Sequence, residues 1–442
     1  MIDRLSRATL LCALCLTALA ALPATTPAQT PAIARTDSTR DLRDVFAPGY
    51  ILQDRNHDDV IDFVNAKIVR PASPSEADVA AAANVAARLG YETSAADLDL
   101  TTADTATTSA YDVPVILIGR GNALIVRAGA AAARALDDLA PGQGIVVLIP
   151  PNGFFHKGGV LLAGEDGSGL IAIADYFSSR YPSIWALRGD SYGDIDTRLS
   201  AFLAAGGAAP RTVSLDRIVI DAGHAGVTRA QFAVRLPDSA TYARAVAALE
   251  APDTGAIPAG GRGARPQRRP RRADLDFADL DRLDIAVSDG SQRRTVRLMP
   301  AHPWQTKPDA QYAAHDNPDF TLSDLYTIRG LFRDSNQDLV PDRTDAYVSL
   351  HGTQSPDALA AFSARVGLET AGMRLPFVQA SGQNDHPETA GFPIVFGVGH
   401  YQAERLREAG KRVGDTTAPG EGSMRFVKGG FGGKNGLVID AA

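Results

Sequence analysis

The sequence predicts an α/β protein in which two repeated strand–helix modules flank a smaller α+β region. Two observations carry that reading. Blocks of sequence recur in the same order about 280 residues apart, and short apolar runs bounded by Pro and Gly alternate with Ala-rich helical stretches. The second pattern is that of strands buried on both faces between helices.

The recurrence opens with DRNHDDVID at 54–62, which returns as DSNQDLVPD at 334–342. ARLGYET (87–93) returns as ARVGLET (364–370), and PVILIG (114–119) as PIVFG (393–397). PGQG (141–144) and PGEG (419–422) follow, then FFHKGGV (154–160) and FGGKNGL (431–437). Five collinear matches at nearly constant offset make the repeat the main organising feature.

Each unit reads alike. After the acidic loop comes a short strand, Ala66–Val69 or Ala346–Leu350. Ser73-Pro74 and Ser355-Pro356 then open a helix, with Ser as N-cap and Pro at the first helical position. The helix is expected to end at a C-terminal glycine, Gly90 or Gly367. Val115–Ile118 and Ile394–Phe396 are buried strands, followed by the tight turns Gly119-Arg-Gly121 and Gly397-Val-Gly399 and a helix. The PGxG turn then leads into strands Gly144–Ile149 and Val160–Ala163 in the first unit.

That unit adds a helix over about Ser168–Arg180, burying Ile171, Ile173, Ala174 and Phe177. The second unit reaches Ala442 at the position of Glu165, before any such helix. One face of its sheet is expected to be partly uncovered, and the chain to be the front part of a longer protein. The expected organisation is therefore a signal peptide (1–28), a linker (29–44), a first module (45–190), a middle region (212–308) and a second module (325–442). In the middle region, Arg217–Asp221 and Ala230–Leu236 read as strands, Ser239–Glu250 as a helix, and Leu283–Val287 with Thr295–Met299 as a hairpin. The Gly/Pro/Arg-rich stretch 252–272 reads as a disordered insert.

Composition narrows the function. The chain has 442 residues, 45% hydrophobic and 21% charged, with a net charge of −7, which argues against nucleic-acid binding. Arg4 and Arg7, the apolar run Ala8–Leu22 and the small residues to Ala28 have the order of a cleaved secretory signal, so the protein is expected to be secreted or periplasmic. Both cysteines, Cys12 and Cys15, lie in that run, leaving a mature chain without thiols.

The acidic loops place oxygen ligands at calcium-loop spacing. These are Asp54, Asn56, Asp58 and Asp62 with Asn65 at position 12, and Asp334, Asn336, Asp338 and Asp342 with Asp345. The loops resemble those of calcium-binding repeats such as dockerin and thrombospondin modules, which implies calcium as a cofactor. Position 6, Gly in that pattern, is Asp59 or Leu339, side chains that resist a left-handed turn. Acidic turns bonding their own backbone are the other reading.

IVIDAGHAG (218–226) and VSLH (348–351) resemble the histidine motifs of secreted zinc N-acetylmuramoyl-L-alanine amidases, which implies His224 and His351 as zinc ligands. A carboxylate ligand soon after His224 is missing, and His351 falls where the first unit has Pro71. A histidine in a strand-end turn is the alternative. The stretch Gly144–Trp185 is similar to small α/β accessory domains that precede the catalytic barrels of secreted hexosaminidases and glucuronidases. The tandem arrangement is similar to N-terminal regions of exported proteins that carry a zinc carboxypeptidase-like domain. Neither resemblance supplies a catalytic residue at a matched position. The duplicated acidic loops, the point at which the second unit stops and the absence of a catalytic constellation point to non-catalytic modules that act in scaffolding or in binding an envelope polymer or protein partner.

Overall fold

A computed structural model describes residues 41–442 except 96, 106–108, 183–190, 224–226, 252–274, 276–279, 300–320, 335, 381–389, 412, 414–420 and 442. The expected signal peptide, most of the expected linker, the Gly/Pro/Arg-rich insert and His224 lie outside the described residues.

The described chain starts with a ribbon, β1 (Leu52–Gln53) and β2 (Phe63–Val64), that brackets the first acidic loop. Then come β3 (Lys67–Arg70), α1 (Glu76–Tyr91), β4 (Thr101–Ala103), β5 (Val115–Ile118), α2 (Ile125–Ala128), α3 (Ala130–Asp137), β6 (Gln143–Ile149) and β7 (Gly159–Gly164). The middle of the chain supplies α4 (Gly167–Ser179), α5 (Tyr192–Ala205), β8 (Thr212–Asp221), β9 (Val227–Arg235), α6 (Ser239–Glu250), β10 (Leu280–Ser288) and β11 (Arg293–Leu298). A second ribbon, β12 (Phe332–Arg333) and β13 (Arg343–Thr344), leads into β14 (Ala346–Leu350), α7 (Pro356–Leu368), β15 (Val378–Ala380), β16 (Phe392–Phe396), α8 (Tyr401–Glu408), β17 (Gly422–Phe431) and β18 (Lys434–Ala441).

These strands form a nine-stranded mixed sheet, β11-β10-β9-β8-β6-β7-β5-β3-β4, and a five-stranded sheet, β15-β14-β16-β18-β17. Five neighbours of the large sheet, β4-β3-β5-β7-β6, repeat the order of the small one. Both have three parallel pairings and end in an antiparallel hairpin. The middle strands do not form a sheet of their own, as a separate α+β domain would. β8 pairs antiparallel with β6 and carries β9, β10 and β11 outward from it. Their period-2 pattern decides this: Ile218, Ile220, Ala230, Phe232, Leu283 and Ile285 share one core with α5 and α6, continuous with the core beneath α4. Residues 41–44, expected as linker, are also packed. Leu42 is fully buried, and Arg43 binds Asp41, Asp196 and the Val213 carbonyl.

Helix α1 explains its own alanine content. Ala77, Ala81, Ala82, Val85, Ala86 and Leu89 enter the core of the large sheet. Val79, Ala80, Ala83 and Ala87 enter that of the small sheet. A helix apolar all round is buried all round, and α1 is shared between two cores. It starts at Ser75 rather than Ser73 because Ser75 and Asp78 form a reciprocal capping box, Asp78 N to Ser75 Oγ at 3.2 Å and Ser75 N to Asp78 Oδ2 at 2.8 Å. In α7, Pro356 occupies the first turn as expected, but Ser355 has φ +49° and its hydroxyl makes no cap bond.

Gly90 and Gly367 are not terminal caps. Both lie inside their helices, and neither has a positive φ. A Cβ on Gly90 would meet the Ala364 carbonyl oxygen at 2.0 Å, and one on Gly367 would meet the Ala87 oxygen at 2.2 Å. Since Gly367 and Ala364 are the repeat partners of Gly90 and Ala87, the contact is isologous within one chain, as at a two-fold dimer interface.

Polar clamps accompany it. Arg70 forms a bidentate pair with Asp357 of α7 (Nε–Oδ1 2.9 Å, Nη2–Oδ2 2.7 Å), and Thr101 Oγ1 donates to the same carboxylate at 2.7 Å. Asn84 of α1 accepts the Phe377 and Val378 N–H groups at 2.9 and 2.8 Å and donates to the Val378 carbonyl at 2.8 Å, holding edge strand β15.

The sheets differ in their cover. In the large sheet α4 lies over β6 and β7, and Gly144 admits it: a Cβ there would meet the Gly169 oxygen at 1.9 Å. The counterpart, Gly422, has only the Asp440 oxygen nearby, at 3.5 Å. Met424, at the position of Val146, is 41% exposed, and Phe426 and Ile439 beside it are half-buried. The expected open apolar face is present among the described residues.

Replacing Gly90 or Gly367 by Ala is expected to cost about 1–3 kcal/mol each, because a backbone carbonyl cannot move aside as a flexible side chain would. Gly153, with nothing within 4 Å of a built Cβ, serves as the near-neutral control. Urea denaturation of the three variants checks this. Equal stabilities would contradict the close contact.

Candidate functional site

The two acidic loops are built alike, bond for bond. Asp54 Oδ1 accepts His57 N at 2.7 Å and Asp58 N at 3.3 Å, and its Oδ2 accepts Asp59 N at 2.9 Å. Asp334 does the same for Gln337, Asp338 and Leu339 at 2.6, 3.2 and 2.8 Å. Asn56 and Asn336 Oδ1 accept Asp58 and Asp338 N at 3.1 and 3.0 Å, and Asp58 and Asp338 Oδ1 accept Val60 and Val340 N at 2.9 Å each.

Position 6 takes the left-handed turn despite its side chain, φ +66° at Asp59 and +70° at Leu339, as does position 4, with +61° at His57 and +64° at Gln337. The backbone thus has the curl that a cation loop requires. Side-chain acceptance of four N–H groups in each loop, through five bonds, offsets the strain that Gly would avoid.

Other expected ligands are used differently. Asp62 Oδ1 accepts Arg55 N at 2.9 Å. Asp345 does not turn into its loop. Its carboxylate is paired with Arg333, Oδ2 lying 2.8 Å from Nε and 2.6 Å from Nη2. Asn65 and Asp345 instead tie the ribbons through backbone bonds to the Ile51 and Leu331 carbonyls at 2.8 and 3.0 Å. Asp342 does likewise, its N–H meeting the Arg333 carbonyl at 2.7 Å. Among the described residues no three His, Cys, Asp or Glu side chains converge as a metal cage would.

His351, the second expected zinc residue, sits just past β14 in the small sheet. Its Nδ1 is 3.4 Å from Glu76 Oε1 of α1, and its ring centroid is 5.8 Å from that of His400. Glu76 also accepts Gly352 N–H. Here the repeat is again informative, since His400 occupies the place of Asn122.

Asn122 is buried. It donates to the Val69 carbonyl at 2.8 Å and accepts Leu124 N–H at 3.0 Å. His400 is fully buried, accepts Gln402 N–H on Nδ1 at 3.1 Å, and places Nε2 2.7 Å from Ser349 Oγ. Ser349 is the counterpart of Val69.

Because Nδ1 accepts, the proton of the neutral ring lies on Nε2, and Ser349 is the acceptor. A base that activates a serine must accept the hydroxyl proton instead. The Ser–His pair is therefore wired as a turn brace that reproduces the asparagine's donor and acceptor. Composition and motif scanning pass over it, whereas aligning the repeat copies finds it.

Comparison with known family models and with curated proteins finds no match. Among the described residues no helix is long and apolar enough to cross a membrane.

Burial, and then the neighbouring His351, push the His400 pKa down to about 4. In the unfolded chain histidine titrates near ~6.5. The folded state therefore binds fewer protons between those values, and stability present above pH ~6.5 is lost as pH falls towards 4. The His400→Asn variant is expected to fold, and to lose less melting temperature than the parent between pH 6.5 and 4. An unchanged acid loss would contradict the assignment.

Proposed function

We propose that the chain is an exported, non-catalytic binding and scaffolding protein made of two copies of one α/β module, the first extended by the middle strands, with the two acidic loops holding calcium. The observation that carries this reading is the bond-for-bond identity of those loops in two copies whose other side chains have diverged. A repeated turn retained with four left-handed non-glycine residues implies a shared structural load.

Each loop offers the Asp at position 1, the Asn at 3 and the Asp at 5, hard oxygens of the kind calcium takes. The direction of the Ser349–His400 bond supports a structural rather than a catalytic reading of the one buried serine–histidine pair described here. The open apolar face beside Met424, and the seam shared by α1 and α7, fit modules that assemble with other parts of an envelope structure. Export rests on the N-terminal sequence order, and the partner class is an envelope polymer or protein.

Calcium at about a hundredfold excess over Kd is expected to add ~2.7 kcal/mol of stability per loop, seen as a melting temperature that rises with calcium and falls with chelator. Asp334→Ala with Asp338→Ala, and Asp54→Ala with Asp58→Ala, should each remove part of that shift. Absence of any calcium shift in the parent protein would dispose of the calcium reading. Hydrolysis of peptidoglycan or peptides by the purified chain, with stoichiometric zinc lost in His224→Ala, would replace the scaffold reading with an amidase.

A further inference from the structure

Strand β17 is the outer strand of the small sheet, with β18 on one side and, among the described residues, no strand on the other. Its counterpart β6 is not an edge. There Gln143–Val147 pairs antiparallel with Asp221–Arg217 of β8. By the repeat of PGQG (141–144) as PGEG (419–422), that window corresponds to Glu421–Arg425. The first module therefore supplies the template for this edge, an added antiparallel strand.

The direction of the edge's backbone groups follows from the same comparison. The Gly142 carbonyl accepts Ala222 N–H at 2.7 Å on the β8 side, and the Gln143 carbonyl accepts Glu165 N–H at 2.9 Å on the β7 side. Alternation along the strand turns Gly144 and Val146 towards β8. Their counterparts, Gly422 and Met424, thus turn their N–H and C=O groups outward from β17. Both residues are exposed, Met424 by 41%. A register shift against β18 between Val427 and Phe431 limits the regular part of this edge to its first residues.

Unpaired strand edges are templates for another strand, and the side chains here favour a second copy of the same one. Glu421 is exposed and Arg425 half-buried, four residues apart and so on one face. Two copies of the window paired antiparallel about Ser423 set Gly422 against the partner's Met424, so that outward backbone groups meet outward backbone groups. The same register sets Glu421 against the partner's Arg425. Two-fold symmetry repeats each contact, giving two opposite-charge pairs in one isologous interface. An axis at Met424 would instead set Arg425 against the partner's Ser423 and lose both pairs. On the open apolar face, Gly422 leaves room for the partner's Met424, and the two Met424 side chains lie diagonally across the axis within reach of each other.

We propose that the chain self-associates as a two-fold dimer through β17, joining two five-stranded sheets into one, with Glu421 of each copy paired to the partner's Arg425. The inference rests on the scaffolding reading for its role and gives that reading a partner. The acidic loops take no part in it, so measurement in EGTA keeps the two apart.

Sedimentation velocity of the mature chain in EGTA, from roughly 1 μM to 1 mM, tests it, the range being set by the weak association of so short a pairing. A monomer–dimer equilibrium is expected. Glu421→Arg and Arg425→Glu should each weaken the dimer at least about tenfold, because like charges then face each other twice. The two substitutions combined in one chain should restore it, since the facing charges are again opposite. Hydrogen exchange reads the edge itself. The Gly422 and Met424 amides should exchange more slowly as concentration rises, while that of Ser423, turned towards β18, should not change. A monomer throughout the range would overturn the proposal. So would a dimer insensitive to the single variants, or one that forms without added protection at Gly422 and Met424. Failure of the double variant to restore the dimer would overturn the pairing of Glu421 with the partner's Arg425.

Discussion

Two carbonyl oxygens, those of Ala87 and Ala364, lie where side chains would be if residues 367 and 90 were anything but glycine. This reciprocal contact lets α1 and α7 approach until each serves the other's core. Ala360 and Ala364 of α7 enter the large-sheet core, and Val79, Ala80, Ala83 and Ala87 of α1 enter the small-sheet core. The rest of the arrangement follows from that approach. It brings Asp357 to Arg70 and Thr101 beside β4, and Asn84 to β15, so each sheet's outer parallel strand is held by the opposite helix. Exposed strand edges invite unwanted pairing; at β15 the Asn84 side chain occupies backbone groups of that edge, whereas at β4 Asp357 holds the Thr101 hydroxyl.

The repeat makes chemistry readable that no single site displays. A buried asparagine in one copy and a buried histidine in the other fill the same slot with the same donor and acceptor, which identifies the role as bracing the turn after the central parallel strand. The carboxyl of Asp175 on α4 is likewise an internal group: burial pushes its pKa up to about 7, and Asn84 lies 3.4 Å away. Such groups sit where the helix layers meet, and their perturbation reflects packing. The arginine row on β8 to β10 is a different case. There a sheet face with no helix over it in the described residues carries guanidinium donors, on Arg229 and Arg282, that have no hydrogen-bond partner among those residues.

Much of the architecture was legible in the sequence because it is local. Val115–Ile118, Ala346–Leu350 and Ser239–Glu250 were bounded by residues that end or start elements for backbone reasons, and the structure has them at those limits. Gly90 and Gly367 were misread because a glycine near a helix end usually supplies a left-handed cap. Their actual role, space for another helix, depends on partners far along the chain, Ala364 for Gly90 and Ala87 for Gly367. The placement of β8 beside β6 was hidden for the same reason, since pairing in a sheet is non-local. In the acidic loops spacing predicted the curl but the missing Gly argued against it, and side-chain bonds from Asp54 and Asp334 decided the outcome.

Native-state hydrogen exchange across the helix seam tests the central claim most directly. If α1 and α7 form one shared core, the amides of Leu89 and Val366 should exchange only through the same opening, with equal free energies close to that of global unfolding. Exchange at Val366 through an opening several kcal/mol easier than that at Leu89 would show that the two sheets fold and open separately, and would contradict the account.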